Sequence, residues 1–353
     1  MERRGKPKRA SQLAVIFLSA LFILPGCKNN GKAAPEESKK GASIAVFIPG
    51  VLAGSAIYEM LADGTQKAAL DFAGANPGNS PTVTVIEGGF NQAEWEAQVT
   101  TLAASGIHDL IISSNPSLPE IVSSVSSKFP KQKFLLLDGE LEGNPSVYTL
   151  RYNQREQAFM AGFIAALAAL EAESGGSKRL GLVAAQEYPV MNNVILPGFA
   201  EGARAADPGF TVDFRVVGNW FDAAKATELA AGMIRGGAKV LLPIAGGAGQ
   251  GVIQAASEAG AKIVWFDTNG YALRPGTVIG SAILRQDKAA YEKVSLYLKG
   301  TLPMGKAEVA GIAEGFVDFI EDDPLYISSV SQGIREKQAK LVADLRSGRL
   351  KLD

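Results

Sequence analysis

The 353-residue chain contains one cysteine and one histidine, and this scarcity removes several function classes. A lone cysteine cannot form an internal disulfide, and one sulfur is too few for a cysteine-based metal site. The single histidine, His108, precedes an apolar run and is expected in a surface loop. HExxH, GxSxG and GK[ST] patterns are also missing from the sequence. We therefore expect a protein that is not an enzyme, hydrolyses no ATP and holds no metal or cofactor.

Beyond the first residues the chain has no excess of basic charge and no basic cluster. Five basic residues and one acidic residue lie in residues 1–26, so the remainder carries 30 Lys and Arg against 35 Asp and Glu. No basic tract is left to bind a nucleic-acid backbone. We expect no nucleic-acid partner, and the lack of a basic helix-turn-helix argues against a transcription factor.

Long apolar runs are also rare, and the clearest one lies near the start. Residues 13–24 are uncharged and follow a segment rich in Arg and Lys. Twelve residues at ~1.5 Å each are too short for a ~30 Å hydrocarbon core, so residues 1–26 are typical of a secretory signal peptide. The sequence Leu-Pro-Gly-Cys ending at Cys27 resembles the bacterial lipobox. We expect Cys27 to be lipidated and to anchor the protein at the periplasmic face of a membrane.

The next segment, residues 27–42, is rich in Lys, Glu, Asn, Gly, Ser and Pro and has almost no large apolar side chains. Such a composition cannot bury enough surface to fold. We interpret it as a flexible tether between the lipid and a globular body.

That body shows two series of short apolar runs separated by helical patterns. The strand-like runs lie at 43–50, 82–88, 109–115 and 133–139, and then at 179–185, 210–218, 239–246 and 262–270. Strands separated by helices of ten to fifteen residues imply parallel sheets covered on both faces. The sequence therefore predicts an α/β fold with two similar domains. A long, apolar helix over residues 157–172 lies between the two series and is expected to be buried.

Ligands of open α/β sheets bind at the carboxyl ends of the strands, where loops and helix N-termini meet. Several residues there are polar or aromatic, as a small-molecule cleft requires, and Asn115 is one of them. The candidate positions are 50–58, 88–91, 113–115, 138–139, 188–192, 219–222, 246–251 and 267–269.

Four motifs behind the lipobox resemble the basic membrane lipoprotein family, whose members are substrate-binding lipoproteins of ABC importers. Purine-nucleoside receptors and a riboflavin receptor belong to that family. The resemblance implies a type I periplasmic-binding-protein-like fold, in which two Rossmann-like domains close over a ligand about a hinge. The motifs are PGFAEG (197–202), WFDAAKA (220–226), AGGAGQGV (245–252) and VWFDTNG (264–270).

The resemblance also implies domain bounds and partners. We expect an N-terminal domain of residues 43–150 plus about 270–320, and a C-terminal domain of residues 151–269 plus about 321–353. The expected partners are a small-molecule ligand, an ABC permease and its separate ATPase, and the protein is expected to be a monomer.

The family pattern gives Asp267 the role of accepting hydrogen bonds from sugar or polyol hydroxyls, since two carboxylate oxygens can receive two neighbouring donors. Asp138 matches a second family aspartate near the ligand, although an aspartate that caps a turn is an equal alternative there. Gly247, in the glycine-rich loop, is expected to let the backbone approach the cleft or the domain interface.

The chain departs from the nucleoside-binding pattern after its first strand. Residues 50–60 read GVLAGSAIYEM, with no acidic residue before Glu59 and with Tyr58 as the aromatic residue. Trp220 and Phe221 stand on the other side by analogy. Large aromatic faces with few charges suit a wide, neutral ring.

These features predict riboflavin as the transported ligand, with the ring between aromatic residues and the ribityl chain on Asp267 and Asn269. Two alternatives stay open. The first is a purine nucleoside, and the second is a surface adhesin with no transport role.

Overall fold

The computed structural model describes residues 41–172 and 177–352. The predicted signal peptide, Cys27 and the tether up to residue 40 lie outside the described residues. The first half of the body alternates strands and helices as the sequence predicts. Its elements are β1 (Ser43–Ile48), α1 (Ala56–Ala75), β2 (Thr82–Glu87), α2 (Gln92–Ser105), β3 (Leu110–Ser114), α3 (Leu118–Lys128), β4 (Lys133–Leu137) and β5 (Val147–Tyr152).

The second half repeats this alternation and ends with two short strands and three helices. Its elements are α4 (Gln154–Ala172), β6 (Arg179–Ala184), a π-helical turn (Met191–Ile195), α5 (Leu196–Ala206), β7 (Thr211–Val216), α6 (Ala223–Arg235), β8 (Val240–Ile244), α7 (Gly249–Glu258), β9 (Lys262–Asp267), β10 (Val278–Leu284), α8 (Gln286–Leu298), β11 (Ala307–Ala310), β12 (Val317–Phe319), α9 (Pro324–Ser329) and α10 (Gln332–Arg346).

The strands form two six-stranded sheets, one in each domain. The first sheet has the order β11-β5-β4-β3-β1-β2, and all its pairs are parallel. The second has the order β12-β10-β9-β8-β6-β7 and is parallel except for β12, which pairs antiparallel with β10. Apart from β11 and β12, the two sheets share one chain order, so each strand of one domain has a counterpart in the other. The predicted fold of two α/β domains is confirmed.

The burial of the strands explains their sequence. β1, β3 and β8 lie inside the sheets and are almost completely buried, because helices cover both faces. The edge strands β2 and β7 are partly exposed and carry polar residues. Helix α4 packs on the second sheet and on α5, and most of its side chains are buried, as its apolar sequence predicts.

The chain crosses between the domains three times. The crossings lie at Asn153, between β5 and α4, at Arg285, between β10 and α8, and at residues 311–316, between β11 and β12. They run side by side, because Asn153 N–H donates to the Ala310 carbonyl (2.9 Å) and Arg285 N–H donates to the Phe316 carbonyl (2.8 Å). Three adjacent crossings at one edge form a hinge.

The crossings differ from the bounds expected from the sequence. The expected bounds place residues from about 270 in the first domain, but β10 lies in the second sheet, between β9 and β12. The chain therefore enters the first domain only at α8, which packs on α1, and it leaves after β11. β12 pairs with β10, so the final return to the second domain precedes residue 317 rather than residue 321.

Candidate functional site

Two aspartates end corresponding strands of the two domains. Asp138 directly follows β4, and Asp267 is the last residue of β9. Both have a left-handed backbone, with φ of 55° and 70°, which no other non-glycine residue in the described ranges shares. Aspartate tolerates this conformation better than most residues, but strain remains. The same strained conformation at matching strand ends indicates a functional constraint at the carboxyl edges of both sheets.

The two carboxyl groups differ in their hydrogen-bond partners. Gln157, which is fully buried near the start of α4, donates from Nε2 to Asp267 Oδ1 (3.0 Å) and to the Ala282 carbonyl (3.0 Å). Within residues 41–172 and 177–352, no group donates a hydrogen bond to Asp138. The positive charge of Arg151 acts on Asp138 only through space.

These partners separate the pKa values of the two acids. Burial raises the pKa of Asp138 to about 8, and the negative charge of Asp267 adds to this shift while Arg151 opposes it. Burial also raises the pKa of Asp267, to about 6, against the lowering effect of the hydrogen bond from Gln157. At neutral pH Asp267 is mostly ionised and Asp138 mostly protonated. The cleft therefore offers one carboxylate acceptor and one carboxylic acid that can donate.

Tyr58 and Asn115 lie beside Asp138 in the first domain. The Tyr58 hydroxyl donates to the Pro49 carbonyl (3.1 Å) and receives a long hydrogen bond from Asn115 Nδ2 (3.4 Å). Burial raises the pKa of Tyr58, the hydrogen bond from Asn115 lowers it, and the charge of Asp138 raises it through space. Gly50 lies against the ring, because a Cβ there would come within 3.2 Å of Tyr58 Cε2. The ring is thus held from both its hydroxyl and its edge.

Trp220 and Tyr188 form an aromatic pair in the second domain. Their ring centroids are 6.5 Å apart and the planes are tilted by 38°. Burial raises the pKa of the Tyr188 hydroxyl, and the charges of Asp267 and Asp138 raise it further. The charges of both aspartates thus act on Tyr188, whose ring pairs with Trp220, which is 44% exposed.

The glycine-rich loop supports Trp220 from behind. The Ala248 N–H donates to the Trp220 carbonyl (3.1 Å), and Gly246 has a left-handed φ of 55°. A Cβ at Gly246 would lie 3.3 Å from Trp220 Cε3, and one at Gly247 would lie 3.5 Å from the Trp220 carbonyl oxygen. Gly247 thus lies in ordinary van der Waals contact with the backbone of Trp220, and its approach to the cleft stays a prediction.

The remaining predicted residues, Asn269 and Phe221, differ in their contacts and in their exposure. Asn269 is committed to the protein, since its Nδ2 donates to Asp323 Oδ2 (2.9 Å) and its Oδ1 accepts from the Tyr271 N–H (3.1 Å). Phe221 is 79% exposed beside Trp220. The ring that neighbours Trp220 is Tyr188, and the placement of a ligand ring between Tyr58 and Trp220 stays a prediction.

Sequence reasoning did not select Tyr188 and Gln157. Tyr188 lies within the candidate strand-end positions 188–192. Its aromatic side chain shortly after β6 is the feature of the sequence that indicates a site residue. Gln157 belongs to α4, which reads as a core helix. Its amide lies among the apolar side chains of a buried helix. Because a buried polar group needs a specific hydrogen-bond partner, this position indicates such a contact.

Residues 41–172 and 177–352 contain no group of three or more His, Cys, Asp or Glu side chains placed to hold a metal ion. His108 lies before β3, with its Nδ1 3.0 Å from the Ser43 hydroxyl, at the amino end of the sheet. None of the helices in these ranges combines the length and apolar character needed to cross a bilayer.

Residues 42–350 match the family described as Bmp, ABC transporter substrate-binding protein PnrA-like. The match spans nearly the whole body and includes both aspartates and the glycine-rich loop. The chain belongs to this family. Membership makes it a substrate-binding protein of the ABC-transporter type.

Two relatives illustrate the range of the family. Basic membrane protein D of Borreliella burgdorferi (strain JD1) is 26% identical over 241 residues, which cover 67% of this chain and 68% of the relative. ABC transporter nucleoside-binding protein BmpA of Lactococcus lactis subsp. cremoris is 23% identical over 256 residues, which cover 70% and 68%.

Solved structures with a similar fold include an ABC transporter solute-binding protein from Aeropyrum pernix K1. It has a TM-score of 0.74 at 21% identity and covers 88% of this chain and 93% of its own. A transcriptional activator of the comK gene from Bacillus halodurans has a TM-score of 0.69 at 18% identity, with 89% and 100% covered. At these identities the likeness shows the fold alone.

Proposed function

We propose that this family member is a lipid-anchored, extracytoplasmic receptor that binds riboflavin in the cleft and delivers it to an ABC permease. The observation that carries the proposal is the pair of matching aspartates with aromatic rings beside each of them. The ring system lies against Tyr58 from the first domain and the Tyr188–Trp220 pair from the second. The ribityl hydroxyls bind the Asp267 carboxylate.

The chemistry of Asp267 supports a ligand with hydroxyl groups. One carboxylate oxygen accepts from Gln157, and no described residue donates to the other, which leaves it for a ligand. Hydrogen bonds to a charged acceptor are stronger than those between neutral groups. Asp138, protonated at neutral pH, can donate to a ring carbonyl or ring nitrogen. The two acids thus match a neutral ligand that has both donors and acceptors.

The aromatic residues support a wide ring. Tyr58 is fixed through its hydroxyl and through Gly50, whereas the glycine-rich loop holds the backbone of Trp220 and leaves its ring 44% exposed. Fixed aromatic faces lose little conformational entropy when a ligand binds. Stacking depends on area and tolerates different hydrogen-bond patterns, so the tricyclic flavin ring gains more from these faces than a smaller ring.

A purine nucleoside is the second candidate. The neighbouring hydroxyls of a ribose would suit the Asp267 carboxylate as well as a ribityl chain does, and the Lactococcus lactis relative is named as a nucleoside-binding protein. The two ligands differ mainly in the size of the ring and in its visible absorbance.

The chemical identity of a co-purified ligand tests the proposal. The protein is purified from cells grown with riboflavin and then denatured, and the absorbance of the released small molecules is recorded. We expect the visible bands of a flavin in a ratio near one per chain. Release of a purine with only ultraviolet absorbance moves the assignment to the nucleoside candidate.

The anchor is tested separately, through Cys27. Cys27→Ser removes the only thiol of the chain, so incorporation of a labelled fatty acid is expected to vanish. Ser19→Ala, a change within the same signal segment, is the matched control and is expected to keep full labelling. Lipid labelling that survives in Cys27→Ser would refute the anchor.

A further inference from the structure

Phe90 and Phe221 occupy corresponding positions in the two domains. Phe90 follows β2 and stands two residues before the first residue of α2, and Phe221 follows β7 and stands two residues before the first residue of α6. The two side chains are 81% and 79% exposed, the highest values among the large exposed apolar side chains of the described residues. Two aromatic side chains at matching places, both uncovered, suggest a shared role rather than chance exposure.

Both residues lie at the edge of the cleft farthest from the hinge. β2 and β7 are the last strands of their sheets, whereas the crossings adjoin β11 and β12 at the opposite edges. A hinge rotation moves atoms in proportion to their distance from the hinge, so these two positions travel farthest when the domains close. They therefore lie at the mouth of the cleft.

Phe90 is also attached to the aromatic group of the first domain. The Gly89 N–H donates to the Gly50 carbonyl (2.9 Å), which ties the loop after β2 to the loop after β1. A Cβ at Gly50 would lie 3.2 Å from Tyr58 Cε2 and 4.0 Å from Phe90 Cε1, so the two rings flank the same glycine. Phe90 thus extends the surface that begins with Tyr58 toward the mouth.

The second domain shows the same arrangement. Tyr188 follows β6, the first strand of the second sheet along the chain, and Trp220 follows β7, the second strand. Their rings are neighbours. Phe221 follows Trp220 directly in the chain and is 79% exposed. Each domain therefore carries an inner tyrosine and an outer aromatic residue along one edge of the cleft.

We propose that Phe90 is a ligand-contacting residue which, together with Phe221, covers the outer edge of the bound ring when the domains close. This inference rests on the proposed function and adds a residue that selects for ring length. A three-ring ligand held at the aspartates extends farther toward the mouth than a two-ring ligand. Phe90 therefore favours flavins over purines.

Binding of defined probes to variants of the full mature chain tests this inference. Phe90→Ala removes the ring, Phe90→Tyr keeps an aromatic face, and Leu70→Ala is the matched control. Leu70 is 62% exposed and lies on α1, roughly 20 Å along the helix from its first turn. Riboflavin, lumichrome, adenosine and guanosine are titrated, and circular dichroism checks folding.

We expect Phe90→Ala to weaken riboflavin and lumichrome about tenfold, at the lower end of the range for losing one stacking face. Flavin fluorescence quenching by the protein is expected to decrease in parallel. Phe90→Tyr and Leu70→Ala are expected to bind like the wild type. If only adenosine or guanosine binds, a tenfold loss in Phe90→Ala still supports the contact, although not the preference for flavins.

Two results contradict the inference and are distinguishable. Wild-type binding that is unchanged in Phe90→Ala overturns the role of Phe90 and leaves the proposed function intact. Failure of all four probes to bind the wild-type protein overturns the proposed function, and the inference falls with it.

Discussion

The two domains place an aspartate at the same strand end with the same left-handed backbone, yet the two halves of the cleft differ. Asp267 has a hydrogen-bond donor in Gln157, whereas Asp138 has none among the described residues. The second half also carries two neighbouring aromatic rings, Tyr188 and Trp220. A repeated fold therefore supplies two equivalent positions, and their neighbours decide which one is charged. We infer that the second domain contributes more of the binding free energy.

The largest expected effect is that of Trp220→Ala. Loss of one stacking face costs about 1–3 kcal/mol, or roughly tenfold to a few hundredfold in affinity. Riboflavin and lumichrome are both expected to weaken, because both have the ring. Ile327→Ala is the matched control, since Ile327 is 45% exposed in the same domain and Trp220 is 44% exposed. Equal affinities of the two variants for riboflavin would show that Trp220 does not stack on the ring.

Asp267→Asn is expected to have the next largest effect. Asparagine tolerates the left-handed backbone, so the change mainly replaces a charged acceptor oxygen by a donor. Hydrogen bonds to charged groups are worth about 1.5–3 kcal/mol, so riboflavin affinity is expected to fall roughly tenfold to a hundredfold. Lumichrome, which lacks the ribityl chain, is expected to bind nearly as before. A similar loss for both probes in calorimetric titrations would show that Asp267 acts on the ring.

Gln157→Leu removes the donor that distinguishes Asp267 from Asp138. Without this hydrogen bond the pKa of Asp267 is expected to rise further, because burial is no longer opposed. Riboflavin affinity at pH 7 is expected to fall about fivefold, roughly 1 kcal/mol, and to recover partly at higher pH as the carboxyl ionises. An affinity that is independent of pH in this variant would argue against the role of Gln157.

The smallest effect on affinity is expected for Asp138→Asn. Because the pKa of Asp138 is about 8, the wild-type side chain is already neutral at pH 7, and an amide replaces an acid of similar shape. Riboflavin affinity at pH 7 is expected to stay within about threefold, or under ~0.7 kcal/mol. A loss as large as that of Asp267→Asn would mean that Asp138 binds the ligand as an anion.

The same variant sharpens the comparison through the pH dependence of stability. The folded-state pKa of Asp138 is raised above the unfolded value of about 4, so the folded protein binds its proton more tightly. Its contribution is fully present at about pH 4 and is lost as the pH rises to about 8. The melting temperature of Asp138→Asn relative to the wild type is therefore expected to increase over that window and to level off above it. A constant difference in thermal unfolding from pH 4 to pH 9 would contradict the raised pKa.

The arrangement of elements follows closely from the sequence, because parallel strands that are buried on both faces appear as short apolar runs. β1, β3, β4, β8 and β9 were predicted within a few residues of their observed bounds, and helix α4 (Gln154–Ala172) agrees with the helix predicted over residues 157–172. Assignment of later strands to a sheet was less accessible. β10 is as apolar as its neighbours, and only its pairing with β9 and β12 shows that it belongs to the second domain.

The positions of the site residues could be predicted, because they depend on strand order. Their hydrogen-bond partners could not, because these depend on side-chain contacts between distant parts of the chain. The positions of Asp138 and Asp267 follow from the rule that ligands lie at the carboxyl ends of strands. The partner of each carboxyl group does not, since Gln157 reaches Asp267 across 110 residues of sequence. The contacts of Asn269 were equally hidden, since its amide accepts from the Tyr271 N–H and donates to Asp323, which is 54 residues away in the chain.

Direct titration of the wild-type protein with riboflavin, lumichrome, adenosine and guanosine tests whether the cleft binds a ligand that has both a wide ring and a set of hydroxyls. We expect riboflavin to bind most tightly, with strong quenching of its fluorescence, and lumichrome to bind more weakly because it does not reach Asp267. Tight binding of adenosine or guanosine with no change in flavin fluorescence would contradict this expectation.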